Sequence, residues 1–67
     1  MYAVSAEHIR KGRENISRRH NLSPTALHYI GVQEARGGGR LMLILLYNVT
    51  DPKSDRFLST LSWVMPD

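Results

Sequence analysis

The chain has no cysteine at all, so neither a disulfide framework nor a thiolate metal site can hold it together. It also lacks any apolar run near the roughly 18 residues that a membrane-spanning helix needs. No basic segment followed by an apolar stretch opens it either, and the expectation is a soluble, cytoplasmic protein. Only three histidines occur, His8, His20 and His28, at intervals without metal-ligand spacing, so no metal and no cofactor is expected. With 67 residues, one small domain is near the lower size at which a hydrophobic core suffices alone. Once disulfides and metals are set aside, oligomerisation is the stabilising device that remains.

What the chain does have is one unbroken apolar stretch. Residues 41–47, Leu-Met-Leu-Ile-Leu-Leu-Tyr, run between Gly37-Gly38-Gly39 and Asp51-Pro52. This reads as a central β-strand over 40–50 that is apolar on both faces, with the glycines as a hairpin turn before it and the Asp-Pro pair as a turn after it. Leucine and methionine would suit a helix, but the glycine run and the closing Tyr47-Asn48-Val49-Thr50 favour a strand.

Ahead of it, residues 5–20 read as an amphipathic helix. Ser5 serves as N-cap and Glu7 sits in the first turn, while Arg18, Arg19 and His20 lie at the carbonyl end. At 100° per residue Ala6, Ile9, Gly12 and Ile16 share one side with Arg13 and His20, and small Ala6 and Gly12 would let the helix lie close to a sheet. Glu7 with Lys11, and Glu14 with Arg18, are expected as i,i+4 ion pairs on the other side.

Asn21-Leu22-Ser23-Pro24-Thr25 then breaks the chain. Ser23 and Pro24 can start a second helix over 24–30, whereas the cluster of β-branched and aromatic residues after Leu27 favours a strand over 27–35. After the turn at Asp51-Pro52, the alternation of Phe57, Ser59, Leu61, Trp63 and Met65 with Leu58, Thr60, Ser62 and Val64 predicts a strand over 56–65. A helix with Phe57, Leu61 and Val64 on one side is the competing reading.

The expected fold is therefore α+β: an N-terminal amphipathic helix packed on a three-stranded antiparallel β-meander. One helix covers one face. Met42, Ile44 and Leu46 of the central strand, with Leu58 and Val64 of the last, would line the other face, predicting a homo-oligomer, most simply a dimer, that buries it.

The net charge of +3 belongs to the first half, where Arg10, Lys11, Arg13, Arg18 and Arg19 face only Glu7 and Glu14. These five bases are the candidates for contact with nucleic acid or an acidic protein partner. Residues 16–30, Ile-Ser-Arg-Arg-His-Asn-Leu-Ser-Pro-Thr-Ala-Leu-His-Tyr-Ile, resemble the helix-turn-helix unit of bacterial transcription regulators. That resemblance implies DNA binding, with Ile16, Ser17, Leu22 and Leu27 packing two helices, Ser23, Thr25 and His28 toward the major groove, and Arg13, Arg18 and Arg19 toward phosphates. The passage from helix through Leu-Ser-Pro-Thr-Ala-Leu to a strand and glycine-rich hairpin is similar to small tautomerases. Their catalytic N-terminal proline has no counterpart before Pro24, so the resemblance implies a fold analogy and no activity.

No catalytic set is found. Glu34, Asp51 and Asp55 lie in or beside turns, where carboxylates cap backbone donors. The glycine triplet is followed by a strand and by no lysine-serine pair, unlike a phosphate loop. Phe57, Trp63 and Tyr47 fit a core role better than a stacking surface for bases. The sequence thus favours a non-enzymatic binding or regulatory module that homo-oligomerises and offers its basic helix or apolar sheet face to a partner. The alternative is a DNA-binding regulator using residues 16–30.

Overall fold

A computed structural model describes residues 4–66. One helix, α1 (Ala6–His20), packs on an open antiparallel sheet of β1 (Leu27–Gly37), β2 (Arg40–Thr50) and β3 (Phe57–Val64), in the order β1-β2-β3. The expected α+β arrangement is the one formed.

The local chemistry of each boundary is visible. The Ser5 side chain accepts from the His8 backbone N–H at 3.2 Å and starts α1. Asn21 ends it in the left-handed conformation at φ 55°, and Leu22 N–H returns to the Ser17 carbonyl at 2.9 Å. Ser23 and Pro24 do begin helical structure, but only as a single 3-10 turn, Pro24–Ala26, before the chain extends into β1. The helix-turn-helix reading of residues 16–30 is corrected here. It needs a second helix through Ile30, whereas Leu27, His28, Tyr29 and Ile30 all lie in β1, paired to β2. Their aromatic and β-branched side chains outweigh the start signal at Ser23.

β1 and β2 meet in a two-residue turn at Gly38 and Gly39, with φ of 58° and 76° and Gly37 opposite Arg40. Positive φ at both central residues is what a type I′ hairpin turn demands, and glycine supplies it without strain. A bulge between Tyr29 and Gly31 leaves Ile30 as the extra residue, and a second one sits between Val49 and Thr50 opposite Leu58.

The core lies between α1 and the adjacent sheet face. Ile16, Leu27, Leu45, Tyr47 and Val49 are buried, with Ile9, Leu22, Leu61 and Trp63 packed around them. Gly12 is buried at the closest approach of helix to sheet: a Cβ there would collide with Tyr47 Oη and stand 2.8 Å from Trp63 Cε3. That absent methyl opens the helix backbone to Tyr47, whose hydroxyl donates to the Ile9 carbonyl at 2.6 Å. Ala6, expected to share this close approach, is exposed, as is His20. The helix therefore rests on the sheet through its middle. Arg13 is half-buried and donates from Nε to the Leu27 carbonyl at 3.2 Å, tying α1 to the start of β1.

Candidate interaction surfaces

The residues singled out for binding fall into two groups, and the fold treats them differently. Of the five bases on α1, Arg10 is held between Glu7 and Glu14, its guanidinium bonded to both carboxylates. The expected Glu7–Lys11 and Glu14–Arg18 pairs are not the ones made: Arg10, three residues from one acid and four from the other, reaches both. The hydrogen bond from Arg10, and then its charge, hold the Glu7 carboxyl below the usual glutamate range. Arg13 is engaged with the Leu27 carbonyl. Among the described residues Lys11, Arg18 and Arg19 have no carboxylate partner, and Arg18 lies beside Glu14, Ser17 and Pro24 in a shallow depression. Two of the five bases are thus engaged within the fold, and three have no carboxylate partner among the described residues.

The second group does come together. Successive residues of a strand face opposite ways. With Leu45, Tyr47 and Val49 under the helix, Met42, Ile44 and Leu46 form a row on the far face of β2. Ile44 stands opposite Val64 of β3, and Leu46 opposite Ser62. On the β1 side the same row is flanked by Ala35, Gln33 and Gly31. Gly31 has nothing within 4 Å of where its Cβ would be. The face is therefore a central apolar ridge whose β1 border is low at Gly31 and Ala35, with the longer Gln33 between them.

Nothing among the described residues covers this face. Met42 is 38% exposed and Val64 51%, while Ile44 and Leu46 between them are half-buried; Leu58, 54% exposed, is the extra residue of the second bulge and has no partner in β2. Ile30 in the first bulge and Phe57 beside the second are more than half exposed as well. Sequence reasoning missed Ile30, because an extra residue in a strand breaks the two-residue period on which side chains are assigned to faces; the glycine that follows it was the available signal. Toward the chain-end side, the face turns polar. His28 Nε2 lies 2.9 Å from Thr50 Oγ1, and Thr60 donates to Asn48 Oδ1 at 2.9 Å.

The exposed surface reflects this open construction. The chain exposes 4876 Å², against about 4,300 Å² for a compact monomer of its mass, an excess of about 600 Å². Its long dimension is 42 Å against 20 and 18 Å across.

Tyr47, Trp63 and Phe57 do not form a stacking platform. Tyr47 and Trp63 join the core beneath α1, while Phe57 stands apart at the far end of β3. Burial pushes the Tyr47 hydroxyl above the ordinary tyrosine range, with the Arg13 charge opposing it in part. Among the described residues no group of three histidine, aspartate or glutamate side chains is placed to hold a metal, and no helix is long and apolar enough to cross a membrane. No protein-family model, no curated protein and no solved structure matches this chain.

Proposed function

We propose that the chain is a non-catalytic interaction module that self-associates, a second copy covering the far sheet face across a two-fold axis. The observation that carries this reading is the row of Met42, Ile44 and Leu46, continued by Val64, on the face left open by the single helix. Gly31 and Ala35 leave low ground on either side of Gln33 beside this ridge, where side chains of a second copy's ridge can settle. The basic helix is the weaker surface, because two of its five bases are already engaged within the fold.

Light scattering at micromolar concentration tests the reading. A mass of at least two chains is expected, and Ile44→Glu should halve it while the far-UV circular dichroism stays unchanged. A wild-type mass of one chain overturns the proposal.

A further inference from the structure

The two edges of the sheet are not alike. β1 is protected as edge strands usually are: it is broken by the bulge at Ile30 and carries Glu34 and Arg36. β3 has neither charge nor proline over Phe57–Val64, and its one irregularity sits at its start, opposite Thr50. Residues 59–64 are regular, uncharged and at the edge.

Hydrogen bonding shows which backbone groups that edge offers. Met65 N–H donates to the Leu43 carbonyl at 2.8 Å. In an antiparallel ladder the bonded positions alternate, so Trp63, Leu61 and Ser59 turn their amide and carbonyl groups toward β2. Thr60, Ser62 and Val64 turn theirs outward, and their side chains lie on the far face.

We infer that this edge pairs antiparallel with β3 of a second copy, about a two-fold axis at Leu61. In that register Thr60 stands opposite Ser62 of the other copy, so hydroxyl meets hydroxyl on the far face. On the helix side Leu61 meets Leu61, and Ser59 stands opposite Trp63. Favourable cross-strand pairs stabilise sheet pairing, and the centre of β3, Thr60 to Ser62, supplies them against itself on both faces. The product is a six-stranded sheet with both helices on one side and the two apolar rows side by side on the other. This contact stands independently of the face-to-face contact proposed above.

The absence of cysteine makes a register-specific test clean. Thr60→Cys and Ser62→Cys are prepared separately, mixed at micromolar concentration and oxidised. Directly opposed Cα atoms lie about 5.5 Å apart, within disulfide reach, whereas like positions lie on the diagonal at about 7–8 Å. The mixed Thr60→Cys/Ser62→Cys disulfide is expected to exceed either self-linked species by about tenfold. No cross-link, or equal yields of mixed and self-linked species, overturns the inference and points to an extended segment of another protein, or none, at this edge.

Ser62→Pro is the second variant. Its amide points away from β2, so proline leaves the β2–β3 ladder whole. It should halve the light-scattering mass with the circular dichroism retained; an unchanged mass refutes the pairing. Ile44→Glu leaves the mixed cross-link intact, so loss of the edge contact and loss of the face contact read out separately.

Discussion

Replacing Gly12 with alanine sets two effects of comparable size against each other. Glycine inside a helix costs about 1 kcal/mol relative to alanine, so the substitution should stabilise α1 if the helix were free. The added methyl, however, would enter the space held by Tyr47 Oη and approach Trp63 Cε3 to 2.8 Å. Neither neighbour is the far end of a flexible chain; both are rings fixed in the core between α1 and the sheet. Overpacking of this kind costs about 1–3 kcal/mol, and displacement of the hydroxyl from the Ile9 carbonyl adds about 1 kcal/mol. Gly12→Ala should therefore be less stable by about 1–3 kcal/mol, a large share of the about 3–10 kcal/mol expected for a chain this short. Urea denaturation at fixed protein concentration measures it: the midpoint should fall while the slope stays the same. The double variant with Tyr47→Phe, which removes the colliding oxygen, should be less destabilised than the two single changes summed, by about 1 kcal/mol or more. A Gly12→Ala protein as stable as the parent, or more so, refutes the reasoning and means the helix can lift from the sheet at no cost.

Asn21→Ala should lower stability by about 1–2 kcal/mol because alanine resists the left-handed conformation, and Asn21→Gly should be neutral or better in the same urea measurement. Tyr47 keeps its proton in the folded state to higher pH than in the unfolded chain, so its contribution to stability holds below the ordinary tyrosine pKa of about 10 and declines as pH rises above it. Tyrosinate absorbance at 295 nm, followed with circular dichroism, should show Tyr47 ionising together with unfolding, and Tyr47→Phe should remove that step.

Much of the fold was legible because its signals are local. Ser5 as cap, the cations of the last helical turn, the glycines of the hairpin and the apolar run of β2 each act within a few residues of themselves, and composition displays them. What could not be read depends on distances across the fold. That Gly12 rather than Ala6 receives the sheet follows from where Tyr47 and Trp63 stand, more than 30 residues away. That Arg13 serves the Leu27 carbonyl follows from the path of the chain after Asn21. The Arg10 bridge was missed on a finer point: three- and four-residue spacings both bring side chains together on a helix, and the five donors of one guanidinium can serve two acids at once. Of the candidate surfaces, the apolar row was legible from alternation alone, whereas Ile30 was hidden by the bulge that displaces it.

The hairpin of β1 and β2 extends past the end of its helix. Fifteen residues of α1 make a rod of about 22 Å, while the molecule is 42 Å long. Along β2 burial accordingly fades from Val49, Tyr47 and Leu45 to exposed Met42 and Leu41 near the Gly38-Gly39 tip. Cooperative unfolding needs shared core contacts, and the arm has few of them, so it can fray from the tip inward while the base stays closed. The domain is thus a graded structure, with amides near Tyr47 opening only on global unfolding and those near Arg40 opening on their own.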